Sequence, residues 1–274
     1  RSADCRYSVP VLHKRTIRVG GHSGSGTCRL SLTWPVYHLG VIDSTNSEAR
    51  RRAKAGDFDD CWLIAEAQTA GRGRLQRPWI SPSGNLFSTA LFHEPGGIPV
   101  ASRIPFAGAL AVSDVAAQLA PDAPVRLKWP NDARVNGAKI SGILIETGGQ
   151  GAEFWVAAGI GINVTSAPEG AGQMATSLHS LRGDAVLTPE DVLTALRDAF
   201  GRRLEQARQG FETLRQDWLK VAEGLGQTIS VSRNGDPLIG VLEDMAEDGS
   251  LVLRLPDGRQ EIVRAGDVSL IGSR

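Results

Sequence analysis

The most informative segment of the sequence is residues 71–79, which read Gly71-Arg72-Gly73-Arg74-Leu75-Gln76-Arg77-Pro78-Trp79. We call this segment the arginine loop. Its three guanidinium groups repel one another unless an anion lies among them, and such an anion receives charge-assisted, bidentate hydrogen bonds. The two glycines allow the backbone to approach a ligand closely. The arginine loop therefore predicts a site for a polyphosphate or a carboxylate, although a solvated hairpin with surface arginines is the competing interpretation.

Apolar runs on both sides of the arginine loop predict the strands of a β-sheet. The continuous run from Cys61 to Ala65, just ahead of the loop, is typical of a buried strand. Further runs of this kind predict strands over residues 36–42, 85–92, 125–129, 140–146 and 153–160. The glycine-rich segment 148–151 is expected to join the last two strands as a hairpin turn.

Helical patterns occur between these strands and after them. Thr45 and Glu48 have the spacing of a capping box, and they predict a helix that ends at Gly56. Apolar residues at helical spacing predict further helices over residues 106–119, from 189 onward and over 211–221.

A change of pattern near Gly224 and Gly226 predicts a second domain. Beyond it, short strands alternate with polar turns, and hairpin signals occur at Asn234-Gly235, Asp248-Gly249 and Asp257-Gly258. We therefore predict a small β-barrel over residues 225–274, after a larger domain over residues 35–224. Residues 1–34 contain a basic, glycine-rich stretch, and we expect them to form a disordered leader.

Composition narrows the function classes. The 274 residues include 30 basic and 30 acidic side chains, so the chain lacks the basic excess usual in nucleic-acid-binding proteins. Its three cysteines form no CxxC pair, which argues against a zinc site. No uninterrupted apolar run is long enough to span a membrane, and we find no secretory signal. These features predict a cytoplasmic protein that binds neither DNA nor a membrane.

A second polar cluster follows the strand predicted over residues 125–129. It reads Lys128-Trp129-Pro130-Asn131-Asp132. Asp132 is a candidate ligand for Mg²⁺ or for a ribose hydroxyl, although Asn131 and Asp132 also suit a plain turn. Lys139 stands ahead of a buried strand and is a candidate to point its ammonium group into a pocket, unless it marks a solvated strand end.

Two further segments have the chemistry of a binding site. Ser44-Thr45-Asn46 begins the first helix, and its backbone N–H groups and hydroxyls suit either the polar head of a small ligand or a plain helix cap. Gly159-Ile160-Gly161-Ile162-Asn163 places small residues at a strand end, where they leave room for a ligand or form a bulge. The five histidines are scattered and predict no catalytic base.

Segments 44–46, 66–74, 128–132 and 139–144, in this order, resemble the biotin–protein ligase family, also called biotin–(acetyl-CoA-carboxylase) ligases. The resemblance covers residues 36–271. It implies an α+β fold, with a mixed β-sheet flanked by helices as in class II synthetases and a small SH3-like β-barrel at the end. It also implies an enzyme that forms biotinyl-5'-AMP from biotin and ATP, with Mg²⁺, and transfers biotin to a lysine of a biotin carboxyl carrier protein.

The resemblance implies roles for the residues at matching positions. Lys139, Arg72 and Arg74 would be catalytic, and Asp132 would hold Mg²⁺. The residues implied to bind biotin are Ser44, Thr45, Asn46, Gln68, Gly71, Arg72, Gly73, Arg74, Lys139, Gly142, Leu144 and Gly161. The residues implied to bind the nucleotide are Arg72, Arg74, Arg77, Trp79, Asn131, Asp132, Lys139 and Asn163.

The chain also departs from the family pattern. No helix-turn-helix pattern precedes the catalytic segments, which implies a short form without a DNA-binding domain, acting as a monomer or a homodimer. Residues 164–187 contain no Phe, Tyr or Trp that would stack on adenine, so the adenine contact must differ. Two alternatives stay open: a lipoate or octanoate ligase of the same fold, and a non-catalytic biotin-binding regulator.

Overall fold

The computed structural model describes residues 33–56, 58–168, 174–183, 187–232 and 236–271. Residues 1–32 of the predicted leader lie outside the described residues. Trp34 is described, and its ring stacks on Phe92 with centroids 5.1 Å apart. Its backbone carbonyl accepts a hydrogen bond of 2.7 Å from Arg197 Nη2. Trp34 therefore belongs to the packed fold.

The larger domain is built on a seven-stranded mixed sheet. In chain order, the strands of this domain are β1 (Val36–His38), β2 (Val41–Ile42), β3 (Cys61–Ala65), β4 (Ala67–Gln68), β5 (Leu86–His93), β6 (Val125–Lys128), β7 (Asp132–Val135), β8 (Ala138–Gly148) and β9 (Trp155–Ile162). The order across the sheet is β1-β3-β5-β9-β8-β7-β6, while β2 and β4 form a separate two-stranded ladder. Only the β1–β3 pair of the large sheet is parallel, which confirms the predicted mixed sheet.

Helices cover both faces of this sheet. They are α1 (Thr45–Ala55), α2 (Gly97–Ala101), α3 (Ile104–Leu119), α4 (Leu178–Arg182), α5 (Pro189–Gln209) and α6 (Glu212–Lys220). Successive side chains of a strand point to opposite faces. Accordingly, Trp62 and Ile64 of β3 join the core under α3 and α5, whereas Cys61 and Leu63 join a smaller core under α1. The buried strands thus contribute side chains to an apolar core on each face of the sheet, as their continuous apolar sequence indicates.

Helix α3 is the central helix of the larger core. The segment Gly97–Leu119 has the length and apolar composition of a membrane-spanning helix, but 67% of its most apolar stretch is buried inside the fold. Ile104 and Phe106 of α3 are at most 5% exposed. The apolar character of this segment is therefore explained by packing within the protein.

A five-stranded antiparallel sheet forms the C-terminal domain. Its strands are β10 (Thr228–Ser232), β11 (Leu238–Met245), β12 (Leu251–Arg254), β13 (Gln260–Val263) and β14 (Asp267–Leu270), in the order β13-β12-β11-β10-β14. This confirms the predicted small SH3-like domain. Its apolar side chains are continuous with the core of the larger domain. Trp129 also donates a 2.9 Å hydrogen bond from Nε1 to the Gly249 carbonyl, which fixes the barrel against the end of β6.

One local prediction is wrong, and one strand was not predicted. Ser44, not Thr45, is the N-cap of α1, and the Ser44 side chain makes no capping hydrogen bond. The Thr45 backbone N–H instead donates to the Gln68 side chain, while Glu48 pairs with two arginines of its own helix. A capping box is therefore absent, because the first backbone N–H of the helix donates to Gln68 of strand β4. In addition, the short segment Asp132–Val135 forms strand β7, which the apolar patterns did not predict.

Candidate active site

One face of the sheet, the start of α1, the arginine loop and the barrel surround a cavity of about 460 Å³. The predicted site residues that line it are Ser44, Thr45, Asn46, Gln68, Arg72, Gly73, Arg74, Arg77, Trp79, Asn131, Asp132, Lys139, Gly142, Leu144, Gly161 and Asn163. Gly71 lies behind the lining, and a Cβ at Gly71 would stand 2.4 Å from the Trp79 carbonyl oxygen. All three arginines of the loop thus line one cavity, as the anion-site interpretation requires.

A row of cross-strand neighbours forms the floor of the cavity. The register pairs Lys128 with Asp132, Asp132 with Gly142, Gly142 with Gly161, and Gly161 with Phe87. Residues directly opposite one another in neighbouring strands share a face of the sheet. We call these five residues the floor row. It runs from an apolar ring, across two glycines, to a carboxylate and an ammonium group.

The part of the cavity beside α1 is built from uncharged polar groups. Gln68 Oε1 accepts hydrogen bonds from the Thr45 backbone N–H at 2.8 Å and from the Thr45 hydroxyl at 3.2 Å. Thr89 Oγ1 lies 2.8 Å from Thr45 Oγ1 and donates to Asn46 Oδ1 at 2.7 Å. These groups therefore hold one another before a ligand binds. We call this region the neutral end, and it comprises Ser44, Thr45, Asn46, Gln68 and Thr89.

Asn46 connects the neutral end to the sheet. Its Nδ2 donates to the Leu144 carbonyl at 3.2 Å and to Glu146 Oε2 at 3.0 Å. A Cβ on Gly159 would stand only 2.1 Å from Asn46 Oδ1. Glycine at position 159 is therefore what gives the Asn46 amide room to lie against β9.

The opposite part of the cavity is charged. Lys139 Nζ lies 2.6 Å from Asp132 Oδ1, and the two side chains are 13% and 15% exposed. Buried charges are tolerated when they are paired in this way. Lys139 therefore points into the cavity and does not mark a solvated strand end. We call this region the charged end, and it comprises Arg74, Arg77, Lys128, Asp132, Lys139 and Asp267.

Arg72 connects the arginine loop to the sheet. Its Nη2 donates to Glu146 Oε2 at 3.1 Å and to Ser47 Oγ at 3.3 Å. Arg50 approaches the same carboxylate, with Nη1 3.6 Å from Glu146 Oε1. Glu146 thus gathers two arginines and the Asn46 amide at the neutral end.

The other two arginines of the loop contact the charged end. Arg74 Nη1 lies 3.5 Å from Asn131 Oδ1, and Arg77 forms an ion pair with Asp267 of the barrel. At the tip of the loop, Leu75 and the residue after it have φ of 54° and 59°. Non-glycine residues in this left-handed region cost on the order of 1–3 kcal/mol each, and such strain is typical of ligand-binding loops.

Trp79 lies on the two glycines of the floor row. A Cβ on Gly142 would stand 3.0 Å from its ring, and a Cβ on Gly161 would stand 2.8 Å from it. Lys139 Nζ lies 5.2 Å from the centre of the same ring. Both glycines are therefore needed to seat the indole. Its buried Nε1 has no acceptor among the described residues.

Asn163 links the floor to the segment beside it. Its Nδ2 donates to the carbonyls of Lys139 and Thr176, at 3.3 Å and 3.0 Å. The side chain is buried, and its Oδ1 has no partner within the described part of the chain. Because both neighbours are acceptors, the amide orientation is fixed and Oδ1 is available to a donor.

A magnesium site was predicted at Asp132. The described residues contain no group of three or more His, Cys, Asp or Glu side chains placed to hold a metal. Mg²⁺ at phosphates usually needs only one or two protein carboxylates, because phosphate and water oxygens complete its octahedron. Asp132, which lines the cavity, fits that requirement, although Lys139 contacts its Oδ1.

The sequence did not single out three residues that contact this site. Glu146 lies near the end of the apolar strand β8. A carboxylate in such a strand is partly buried and needs a hydrogen-bond or ion-pair partner, which is a signal that could have identified it. Thr89 lies in a buried strand, where a hydroxyl also needs a partner. Asp267 comes from the barrel, and nothing in its local sequence indicates that it reaches the cavity.

Comparisons with known proteins agree with this architecture. Residues 41–163 match the biotin/lipoate A/B protein ligase family, and residues 224–271 match the biotin protein ligase C-terminal domain. The biotin–(acetyl-CoA-carboxylase) ligase of Paracoccus denitrificans is 38% identical over 235 residues, which cover 83% of this chain and 97% of the relative. The ligase of that name from Mycobacterium tuberculosis is 34% identical over 268 residues, covering 94% and 96%.

Solved structures give the same result. Biotin protein ligase from Aquifex aeolicus, in complex with biotin and ATP, superposes with a TM-score of 0.72 at 26% identity, covering 86% of this chain and 98% of that one. The two sequence relatives exceed 30% identity over nearly their full lengths. The chain therefore belongs to the biotin/lipoate A/B protein ligase family, and it carries the biotin protein ligase C-terminal domain.

Proposed function

We propose that this protein is a biotin–protein ligase, which activates biotin with ATP and attaches it to a lysine of a carrier protein. The observation that carries the proposal is that one cavity has a neutral end and a charged end. The ureido ring of biotin offers neutral donors and an acceptor, which suit the neutral end. Two anionic reactants, a carboxylate and a triphosphate, suit the charged end.

In this proposal the ligands occupy the cavity in a fixed order. Ser44, Thr45, Asn46 and Gln68 bind the ureido ring, and Leu144, Gly142 and Gly161 line the path of the biotin chain. Gly71 and Gly73 shape the loop beside it. Lys139 meets the biotin carboxylate and the α-phosphate, while Arg72, Arg74 and Arg77 bind phosphate. Trp79, Asn131, Asp132 and Asn163 contact the remainder of the nucleotide.

The first half-reaction joins the two anions. An oxygen of the biotin carboxylate attacks the α-phosphorus of ATP, the bond from that phosphorus to the bridging oxygen breaks, and pyrophosphate leaves. The carboxylate is already ionised, so the step needs no protein base. Its barrier is the repulsion between the reactants, which Lys139, Arg72 and Arg74 lower by placing positive charge where negative charge gathers.

The second half-reaction transfers biotin. The amine of the carrier lysine attacks the carbonyl carbon of biotinyl-5'-AMP, the bond to the AMP oxygen breaks, and the amine loses a proton to solvent. Because the mixed anhydride reacts with water, the arginine loop has to cover it until the carrier arrives. The Arg72–Glu146 contact holds the loop against the sheet in a position suited to this task.

Asp132 is the residue that we propose to hold Mg²⁺ beside the phosphates. When bound there, the metal supplies further neutralisation of phosphate charge. Metal binding has a readout apart from activity. Lys139 contacts Asp132 and also lies over the Trp79 ring, so a metal at Asp132 should change the surroundings of that indole. Mg²⁺ added to the Mg-free protein with ATP present should change the tryptophan fluorescence of the native chain, and should do so less in Asp132→Asn.

Partners and setting are also part of the proposal. The carrier is a biotin carboxyl carrier protein or domain of a biotin-dependent carboxylase, and the reaction takes place in the cytoplasm. We propose that the enzyme acts without DNA or a membrane, as a monomer or a homodimer. The balanced charge of 30 basic and 30 acidic residues supports the absence of a nucleic-acid partner.

The decisive experiment is ATP-dependent labelling of a purified biotin carrier domain. Biotin attachment seen by mass spectrometry, with one pyrophosphate released for each biotin attached, is the expected result. Lipoate and octanoate supplied in place of biotin test the related ligases, and biotin should be strongly preferred. A chain that binds biotin but releases no pyrophosphate would instead be a regulator, and the proposal would then be wrong.

A further inference from the structure

Lys128 is a cavity residue with no role in the mechanism above. It is the last residue of β6 and ends the floor row, beside Asp132. It lines the cavity together with Asp267, Val268 and Ser269 of the barrel. Its side chain is half-buried.

The charges around the cavity distinguish Lys128 from the other cations. Arg72, Arg74, Arg77 and Lys139 contact acceptors on Glu146, Asn131, Asp267 and Asp132 respectively. Lys128 is the fifth cation of the lining, and it has no hydrogen-bond or ion-pair partner among the residues that the structure describes. A half-buried ammonium group without a partner is costly, and an anionic ligand would remove that cost.

The surroundings of Lys128 point the same way. Burial lowers the pKa of its ammonium group, and the nearby Arg134 guanidinium lowers it further. Asp132, Glu223 and Asp267 act in the opposite direction but do not offset these effects. Burial is thus the larger effect on the Lys128 ammonium group, and a bound phosphate group would offset it by adding negative charge.

Position along the sheet identifies the anion. Lys139 is on β8 and Lys128 on β6, two strands away, and neighbouring strands are about 4.8 Å apart. The Lys139 ammonium group contacts Asp132, which is the direct cross-strand partner of Lys128. A biotin carboxylate offers one charged group for two such cations, whereas a triphosphate offers three. With the α-phosphate at Lys139, two phosphates remain, and Lys128 lines the same cavity beside Asp132 and the barrel residues.

We propose that Lys128 binds the β- and γ-phosphates of ATP and stabilises the leaving pyrophosphate in the first half-reaction. This inference rests on the proposed function. Negative charge grows on the bridging oxygen and on pyrophosphate as the bond to the α-phosphorus breaks. Lys128 therefore acts on adenylate formation, and on its reversal by pyrophosphate, but not on transfer from biotinyl-5'-AMP, because pyrophosphate is absent from that step.

The test compares Lys128→Met with the wild-type chain in three assays. These are biotinyl-5'-AMP formation from biotin and ATP, ATP formation from biotinyl-5'-AMP and pyrophosphate, and transfer from purified biotinyl-5'-AMP to a carrier domain. Methionine keeps the length of the side chain and removes its charge. We expect the first two rates to fall on the order of 10²–10³-fold and the third to stay at the wild-type level.

Two further variants complete the design. Arg126→Met removes an exposed cation from the same strand, outside the cavity, and should leave all three rates unchanged. Lys128→Arg retains the charge and should recover most of the loss in the first two assays. It also keeps the test valid should Lys128→Met fold poorly.

The possible results are distinguishable. Wild-type adenylate formation and reversal by Lys128→Met would overturn the inference, as would an equal loss in all three assays that Lys128→Arg fails to recover. A wild-type chain that makes no biotinyl-5'-AMP would instead overturn the proposed function itself.

Discussion

The two ends of the cavity differ in how their side chains are held in place before a ligand binds. At the neutral end, Thr45, Asn46, Gln68 and Thr89 bond to one another, so their positions are set without a ligand. At the charged end, cations are held by ion pairs such as Lys139–Asp132 that a stronger anion is able to displace. The comparison teaches that the neutral end is preorganised for recognition, whereas the charged end exchanges protein contacts for ligand contacts.

The largest expected effect is at the centre of the charged end. Lys139→Ala should slow biotinyl-5'-AMP formation on the order of 10²–10³-fold, because it removes the cation closest to both anions. Biotin affinity measured without ATP should fall much less, because the neutral end is untouched. The measurement is single-turnover adenylate formation beside calorimetric titration with biotin.

Lys54→Ala, at an exposed position on α1, is the matched control and should behave as wild type. If Lys139→Ala formed the adenylate at the normal rate, Lys139 would not be catalytic. The assignment of catalysis to the charged end and of biotin recognition to the neutral end would then be contradicted.

The next largest effect tests preorganisation of the neutral end. Thr89→Val keeps the shape of the side chain but leaves Asn46 Oδ1 without its donor, and burying an unsatisfied acceptor costs about 1–3 kcal/mol. We expect that cost in the free energy of unfolding. Biotin affinity should also fall, because the Asn46 amide is no longer held in place, and the KM for ATP should stay unchanged. Thr194→Val, which removes a hydroxyl from the exposed face of α5, is the control. Equal losses for biotin and ATP would show that the two ends are not separable.

A smaller effect is expected where the barrel contributes to the charged end. Asp267→Asn breaks the ion pair with Arg77, whose side chain is 65% exposed. Exposed pairs contribute about 0–1 kcal/mol, so the KM for ATP should change by less than about fivefold. The change should shrink at high ionic strength, because salt screens exposed charges. Asp257→Asn on an exposed hairpin is the control, and a loss as large as that of Lys139→Ala would contradict this ranking.

The smallest effect concerns an ion pair outside the cavity. A side-chain hydrogen bond from Arg51 lowers the pKa of Asp43 from 3.8 to about 2. A carboxyl with a lowered pKa stabilises the fold above its ordinary pKa, and that contribution is lost as the pH falls through about 2. Because the Asp43 side chain is 43% exposed, we expect less than about 1 kcal/mol. Unfolding of wild type and Asp43→Asn should therefore differ slightly at pH 5 and converge toward pH 2, and a constant difference would contradict the assignment.

Sequence patterns predicted those parts of the fold that are specified locally. Apolar runs located β3, β5, β8 and β9, and the arginine loop was recognised from the spacing of its own residues. Strand β7 was missed because it has only four residues, too few for its alternation of polar and apolar side chains to be told from a turn. Likewise, Glu146 and Asp267 join the site through sheet register and domain packing, which no short segment encodes.

The floor row also has an evolutionary consequence. Lys128 and Asp132 face each other across a turn of three residues, 129–131, and they share a face only because the β6–β7 register is fixed. A slip of one residue would turn one of these side chains to the opposite face of the sheet. Insertions and deletions in that turn should therefore be far rarer among functional homologues than changes of residue identity. The length of a hairpin, which is never itself a ligand, becomes an inherited part of the chemistry.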